Sequence, residues 1–178
     1  HKMIVKTVKE LRQVSEPFDF KNQQLNLVEF RTEMIDAMWN NSGLGIAAVQ
    51  LGHNLRILAM RGKTKEESII MVNPVVDKWS PDFNTMDEGC LSIPDVFARV
   101  ARPSEVTVTW TNELNEEETE TLTDLTARVF QHEYDHLEGI MFIDRIKPFA
   151  LKRAFEKAKK IQKMRSRGKE KYKARFAL

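Results

Sequence analysis

Residues 131–136 contain the pattern His-Glu-x-x-His, in which His132 and His136 are four positions apart. On an α-helix this spacing places both imidazoles on one face, about one turn from each other. Two neutral imidazoles are good ligands for a transition metal, and the carboxylate of Glu133 can take a proton from water at such a metal. The alternative is an ordinary amphipathic helix that buries two hydrogen-bonded histidines. The pattern therefore predicts a helix, and a metal site on it if the chain supplies a third ligand.

Length and cysteine usage limit the classes of protein to which this chain can belong. Its 178 residues, 42% hydrophobic and 30% charged, have the size and composition of one globular domain. No run approaches the roughly 18 apolar residues of a membrane span, and the N-terminal residues lack the apolar stretch of a signal peptide. We therefore expect a cytoplasmic protein without membrane association. Cys90 is the single cysteine, which excludes an internal disulfide.

Two further helices are predicted from apolar residues at helical spacing. The first comprises residues 25–39, and the second begins near Pro148. For the helix that carries the histidines, Thr123 or Asp124 is a suitable N-cap, and Gly139 is a suitable residue to end it.

Segments rich in β-branched residues predict strands at 56–60, 68–76, 105–110 and 119–122, the last two joined by an acidic hairpin turn. Pro74, Pro81 and Pro94 indicate short strands and turns in the intervening region. The order of a helix, several strands and then helices indicates an α+β fold. We expect short antiparallel strands and sheets packed around a central helix with the His-Glu-x-x-His pattern, followed by a C-terminal helix.

The positive charge is concentrated near the C-terminal end. Between Lys152 and Arg175 there are 12 basic and 2 acidic residues, which leaves 16 basic and 24 acidic residues elsewhere. Four apolar residues recur in this basic tail at helical spacing, namely Phe155, Ala158, Ile161 and Met164. The pattern is typical of a solvated helix with one core-facing stripe, or of a basic amphipathic helix that binds RNA, an acidic protein or a membrane surface.

The third metal ligand is not in the position that two known downstream patterns would give it. Phe142 stands where one pattern places a third histidine, and Glu156 lies in the basic tail. Cys90 remains, and as a thiolate it is a strong ligand for zinc or iron(II). With His132 and His136 it would leave a fourth coordination position open, as a catalytic site requires. A single cysteine is also commonly a small buried hydrophobe, so the residues alone leave both interpretations open.

The segment 43–50 has two glycines and two alanines, which indicates close approach to the backbone. A tight turn packed against a helix is one interpretation. A phosphate-binding loop is disfavoured, because no Gly-Lys-Ser or Gly-Lys-Thr follows.

Three segments together resemble the motifs of the peptide deformylase family. They are Gly-x-Gly-Φ-Ala-Ala-x-Gln at 43–50, where Φ is apolar, Glu-Gly-Cys-Leu-Ser at 88–92, and Gln-His-Glu-x-Asp-His-Leu-x-Gly at 131–139. The order and approximate spacing also match. The similarity predicts a catalytic domain at 3–150, with 151–178 as a basic helical extension of the same domain. It implies a hydrolase of protein biosynthesis that removes the formyl group from N-terminal formyl-methionine of nascent polypeptides and releases formate.

The resemblance also implies roles for individual residues. Cys90, His132 and His136 would bind one Fe²⁺ per chain, which Zn²⁺, Ni²⁺ or Co²⁺ can replace, since this donor set alone fits several metals. Hydroxide at the metal would attack the formyl carbon, with Glu133 as general base and then acid. The side-chain amide of Gln50 and the backbone N–H of Leu91 would stabilise the oxyanion.

Substrate binding is implied for six residues: Gly43, Leu44, Gly45, Glu88, Leu125 and Val129. The backbone near Gly45 would pair with the peptide as an added strand. Leu125 and Val129 share the helical face of His132, so they can line a pocket for the methionine side chain or simply belong to the core.

Arg102 would pair with Glu88 and support the cysteine loop. Phe97 stands where many bacterial members of the family have an arginine, and Arg99 is the candidate to replace that arginine.

For partners, the resemblance implies formyl-methionyl nascent peptides and, through the basic C-terminal helix, the ribosome near its exit tunnel. We expect a monomer. The alternatives are a zinc endopeptidase and a nucleic-acid-binding protein with a structural metal. Release of formate from formyl-Met-Ala-Ser distinguishes a deformylase from both.

Overall fold

The computed structural model describes residues 4–5, 7–168 and 177–178. Its helices are α1 (Val8–Leu11), α2 (Leu27–Asn40), α3 (Asp124–Leu137) and α4 (Pro148–Ser166). Its strands are β1 (Gly45–Ala47), β2 (Ile57–Met60), β3 (Ile69–Trp79), β4 (Phe83–Cys90), β5 (Ile93–Pro103), β6 (Glu105–Thr111) and β7 (Glu117–Thr123). Short 3-10 turns occupy Ala48–Leu51 and Phe142–Arg145.

The strands form two antiparallel sheets. One has five strands in the order β1-β2-β3-β6-β7, and the other is the β4–β5 pair. Strand β1 is therefore an edge of the larger sheet, and β4 belongs to the smaller one. This architecture confirms the predicted α+β class.

Helix α2 confirms the first predicted helix, with a start two residues later than expected. The side chain of Asn26 accepts hydrogen bonds from the backbone N–H of Val28 and Glu29, at 3.0 and 3.1 Å, which satisfies two N–H groups that the first turn leaves free. Its buried stripe includes Phe30 and Met34, and it packs against the larger sheet.

Helix α3 is the central element, and most of its residues are buried. It packs against strands of both sheets, so its two histidines lie in the interior rather than at the surface. Thr123 occupies the N-cap position with extended backbone, but its side chain makes no capping hydrogen bond. Gly139 follows the helix with φ of 70°, and a Cβ there would lie 2.5 Å from the carbonyl oxygen of Arg12. Glycine is thus required where the helix ends, as predicted.

The β4–β5 hairpin is longer than the short strands and turns expected around the prolines. It pairs continuously from Phe83 opposite Pro103 to Gly89 opposite Phe97, and it becomes irregular between Gly89 and Cys90. In the first part of β4, exposed residues alternate with partly buried ones, but the partly buried residues are not consistently apolar. The strand therefore lacks the alternation of apolar residues that marks a strand in a sequence. Pro74 lies inside β3 where the pairing with β6 is irregular. Because no regular sheet hydrogen bond is needed there, the absence of an N–H on proline is tolerated.

Helix α4 begins at Pro148, as predicted. Ala158 and Ile161 are buried and pack beside β5, whereas the side chains of Phe155 and Met164 are 37% and 46% exposed. Residues 169–175 of the predicted basic tail lie outside the described residues. Within the part of the chain that is described, no helix has both the length and the apolar character needed to cross a membrane.

Candidate metal centre

Two chain segments bring three potential metal ligands together. Cys90 ends β4, and α3 supplies His132 and His136. Their ligand atoms all lie within 4.8 Å of one another, and all three side chains are buried. The Sγ of Cys90 is 3.4 Å from Nε2 of His136. The break in β-pairing after Gly89 turns the cysteine out of the regular hairpin, which is a common effect of a bulge.

The ring of His132 is oriented from behind by Glu88. Nδ1 of His132 lies 2.9 Å from Oε1 of Glu88, and because that carboxylate is ionised, Nδ1–H is the donor. Nε2 of His132 is buried and has no hydrogen-bond partner among the described residues. Nε2 is therefore the nitrogen that can bind a metal. In metal sites, a ligating histidine commonly donates its other ring N–H to a carboxylate, as Nδ1 does here to Glu88.

Protonation of the two histidines follows from their surroundings. Burial holds the pKa of His136 well below its ordinary value, so the ring is neutral, the form that binds a metal. Burial would also lower the pKa of His132, but Cys90 and Glu88 raise it to about 10. A metal at Nε2 would take the place of a proton there, while Nδ1–H continues to donate to Glu88. One thiol, one free imidazole nitrogen and one neutral imidazole fit a divalent transition metal.

Glu88 is the centre of a buried ion-pair network. Arg102 donates to both of its carboxylate oxygens, at 2.6 and 2.9 Å, and Arg128 donates to Oε2 at 2.8 Å. Burial alone would raise the pKa of Glu88, but hydrogen bonds from Arg102 and His132 hold it well below its usual range. Both carboxylate oxygens accept from protein groups, so the side chain of Glu88 supports His132. The substrate contact expected for Glu88 stays a prediction.

Two members of this network were not singled out in the sequence. Arg128, one helical turn before His132, also donates to the backbone oxygens of Val100 and Asn84. Asp135 accepts from Arg102 at 2.8 Å and from Arg145 at 2.6 Å. One signal in the sequence could have identified Arg128: it is a charged residue on the helix face of His132, which is expected to be buried.

Glu133 is fully buried beside the cluster, and neither carboxylate oxygen has a hydrogen-bond partner among the described residues. Burial raises its pKa to about 7. Gly45 of β1 packs directly against it, because a Cβ at Gly45 would lie 2.8 Å from Cγ of Glu133 and 2.8 Å from Cγ1 of Val129. The glycine therefore permits β1 to approach the helix at this point.

Gln50 lies on the other side of Cys90 and is also fully buried. Its Oε1 accepts from the N–H of Ala47 at 2.9 Å, which fixes the amide orientation. Nε2 then points to Ser92 Oγ at 3.1 Å and to Cys90 Sγ at 3.6 Å. Leu91 follows Cys90, and its side chain lies against Gly43, where a Cβ would be 2.7 Å from Leu91 Cδ1.

The remaining candidates for substrate contact have different environments. Val129 is buried in the main core, whereas Leu125, one turn earlier, is 50% exposed. Leu44 is half-buried beside that core. The ring of Phe97 covers Gly89, where a Cβ would lie 2.4 Å from it, and Arg99 reaches the carbonyl of Thr85. Replacement of the missing arginine by Arg99 stays a prediction.

Comparisons with known proteins agree with one another. The family model described as polypeptide deformylase matches residues 1–152. A peptide deformylase of Synechocystis sp. is 40% identical over 129 residues, covering 70% of this chain and 69% of the relative. The peptide deformylase of Brucella suis is 38% identical over 160 residues, covering 88% and 90%. The crystal structure of a peptide deformylase from Legionella pneumophila superposes with a TM-score of 0.82 at 29% identity, covering 94% of this chain and 98% of that one.

Proposed function

We infer that this chain, which belongs to the polypeptide deformylase family, removes the N-terminal formyl group from nascent polypeptides. We propose that Cys90, His132 and His136 hold the metal for this reaction. The observation that carries the proposal is the buried cluster of one sulfur and two imidazoles, in which Nε2 of His132 has no hydrogen-bond partner within the described part of the chain. A buried nitrogen without a partner is costly unless something binds it.

A divalent metal in this cluster supplies Lewis acidity, which polarises a carbonyl oxygen and lowers the pKa of water from 15.7 toward neutrality. We propose Fe²⁺ as the ion, with Zn²⁺, Ni²⁺ or Co²⁺ as replacements, because a thiolate with two imidazoles suits all of them.

Glu133 is proposed to move the proton. Its carboxylate accepts a proton from the attacking water and then delivers it to the departing amine nitrogen. A pKa of about 7 suits both steps, since the group can hold or release a proton at neutral pH. Neither of its oxygens has a hydrogen-bond partner in residues 7–168, so both can take part in proton transfer.

Gln50 and Leu91 are proposed to stabilise the oxyanion that develops on the formyl oxygen. The contact from Ala47 fixes the amide of Gln50, so that Nε2 faces the Cys90 region before substrate arrives. The backbone N–H of Leu91 would be the second donor. Donors that are already oriented cost no reorganisation during the reaction.

The peptide is proposed to add to the edge of β1. This strand is the edge of the five-stranded sheet, so it is the side of that sheet to which an extended peptide could add as a further strand. Gly43 and Gly45 keep that edge free of side chains next to Leu91 and Glu133. Val129 would contact the methionine side chain from the interior, and exposed Leu125 would contact it from the mouth of the pocket.

The decisive experiment measures formate release from formyl-Met-Ala-Ser by protein reconstituted with Fe²⁺ under anaerobic conditions. Unformylated Met-Ala-Ser serves as the control substrate, and a longer unformylated peptide tests for internal cleavage. Activity that requires both the formyl group and the metal supports the proposal. Cleavage of the unformylated peptide instead would identify an endopeptidase.

Helix α4 is proposed to contact the ribosome near its exit tunnel. Its seven basic residues and the C-cap Arg167 are exposed: Lys152, Arg153, Lys157, Lys159, Lys160, Lys163, Arg165 and Arg167. Arg165 is engaged with Asp95 at 2.7 Å, but the spread of positive charge along the helix suits phosphate groups of RNA. The monomeric state and the cytoplasmic location stay predictions.

Co-sedimentation with ribosomes at low and moderate salt tests this contact. We expect reversal of Lys152, Lys159 and Lys163 to glutamate to weaken binding, most clearly at low salt. Reversal of the exposed Lys9, Lys63 and Lys78, outside α4, is the matched control for net charge. An equal loss of ribosome binding in both triple variants would reject a role specific to α4.

A further inference from the structure

The segment Ala177–Leu178 lies between the edge of β1 and the end of β4. The N–H of Leu44 donates to the carbonyl oxygen of Ala177 at 2.9 Å, and the N–H of Leu178 donates to the carbonyl oxygen of Gly89 at 3.0 Å. Both hydrogen bonds are made by one peptide group, the one that joins Ala177 to Leu178. This group therefore bridges the larger and the smaller sheet at the site where the candidate metal ligands converge.

The direction of the segment is set by its pairing with β1. Gly43 and Ala177 are partners in a parallel arrangement. The step from Ala177 to Leu178 consequently runs in the direction from Gly43 to Gly45, toward the point where β1 meets Glu133.

Burial indicates that the segment fills a real cavity. Ala177 is 8% exposed and Leu178 is 4% exposed. Leu178 belongs to the same hydrophobic cluster as Val129, with Leu44 packed against that cluster. An apolar side chain thus joins the hydrophobic cluster that includes Val129, the residue assigned above to the side chain of the substrate methionine.

An incoming peptide is proposed to run along the same stretch of backbone, from Gly43 to Gly45, that this segment already uses. Gly43 is paired with Ala177, and the N–H of Leu44, which has only one hydrogen to donate, already donates to Ala177. The methionine side chain of that peptide is assigned to Val129, which belongs to the same hydrophobic cluster as Leu178. The segment and the peptide therefore compete for this edge and its apolar surroundings.

We propose that Ala177–Leu178 is a built-in competitor that occupies the peptide-binding cleft and must leave before a substrate can bind. The inference rests on the proposed function, since it identifies the cleft as the place where the formyl-peptide binds. The competitor covers the cleft without contacting Gln50 or the histidines by any hydrogen bond among the described residues, so it controls access rather than chemistry.

Competition of this kind has a defined kinetic signature. If the segment occupies the cleft two thirds of the time, the apparent KM rises about threefold, because only the open fraction binds substrate. The turnover of bound substrate is unchanged, since the segment has left by then. Removal of the competitor should lower KM and leave kcat constant.

Three variants of the metal-loaded chain test the proposal with formyl-Met-Ala-Ser. Leu178→Pro deletes the N–H that donates to Gly89, and a chain that stops after Phe176 deletes the segment. Leu178→Met retains both the N–H and an apolar side chain, so it is the matched control. We expect a lower KM for the first two, by about threefold at an occupancy of two thirds, with kcat unchanged, and we expect no change for Leu178→Met.

Hydrogen exchange provides a readout that does not depend on activity. The Leu44 amide should be protected in the unaltered chain and in Leu178→Met, and should exchange faster in Leu178→Pro and the shortened chain. Unchanged KM together with unchanged Leu44 protection would overturn the inference, as would a fall in kcat without a fall in KM. If no variant releases formate, the proposed function fails, and Leu44 protection alone decides whether the segment docks.

Discussion

Oε1 of Glu88 and Nδ1 of His132 lie 2.9 Å apart although the residues are separated by 44 positions in the chain. This hydrogen bond connects the β4–β5 hairpin to the central helix. It fixes the ring so that Nε2 faces Cys90, and its acceptor is held in place by two buried arginines, Arg102 and Arg128. The proposed metal centre thus depends on a carboxylate that is not among the proposed ligands.

Glu88→Ala should weaken both metal binding and the fold. His132 would lose its orienting acceptor, which typically costs about 10- to 100-fold in metal affinity. Arg102 and Arg128 would lose their buried counter-charge, and breaking such a pair costs about 3–5 kcal/mol of unfolding free energy. Metal competition titration and urea unfolding measure the two effects. Glu120→Gln, an exposed site on β7, is the control, and unchanged metal affinity in Glu88→Ala would contradict the orienting role.

Glu133→Gln should separate catalysis from metal binding. The amide has the size of the carboxylate but cannot accept the proton, so formate release should fall by about 10²- to 10⁴-fold, the usual contribution of general acid–base catalysis. Metal content should remain at one per chain, because Glu133 is not among the proposed ligands. Near-normal turnover in this variant would refute the assigned proton transfer.

Much of the site could be predicted from local patterns. The i, i+4 spacing fixes the relative positions of His132 and His136 on any helix, and Gly139 marks where that helix ends. The family motifs then point to Cys90 and Gln50, whose side chains do lie together with the histidines. These features depend on short-range geometry or on a complete local motif.

The supporting network could not be predicted in the same way. Arg128 contacts Asn84, Glu88 and Val100, and these contacts exist only once the β4–β5 hairpin has packed against α3. Strand β4 of that hairpin lacks the apolar alternation that marks a strand in a sequence, and it is held by backbone pairing with β5. Pairings over such sequence distances are set by tertiary structure rather than by local propensity.

The Arg12–Asp144 ion pair should make the stability of the chain depend on pH in the acid range. Arg12 Nη2 donates to Asp144 Oδ1 at 2.7 Å, and this hydrogen bond holds the pKa of Asp144 below its ordinary value. A carboxylate with a lowered pKa stabilises the fold above its unfolded-state pKa, and that contribution is lost as the pH falls through the folded-state pKa.

Asp144→Asn should therefore be less stable than the unaltered chain at pH 7, and the difference should shrink on acidification below about pH 4, near the ordinary aspartate pKa. Urea unfolding at several pH values measures it. Asp36→Asn disrupts the exposed Lys65–Asp36 pair and is expected to have little effect at any pH. A difference that stays constant across the range would show that Asp144 acts through packing instead.

The close approach of Gly45 to α3 gives a prediction that links packing to catalysis. An alanine Cβ at this position would lie 2.8 Å from Glu133 Cγ and 2.8 Å from Val129 Cγ1, so β1 or the helix must move. Overpacking of this kind typically costs about 1–3 kcal/mol, and displacement of Glu133 should lower kcat as well.

Val129→Ala removes one of the two clashing groups but not the other. In a double-mutant cycle, Val129→Ala should restore part of the stability lost in Gly45→Ala while kcat stays low, because the Glu133 clash remains. Full recovery of kcat in the double variant would mean that Gly45 matters for packing against Val129 alone.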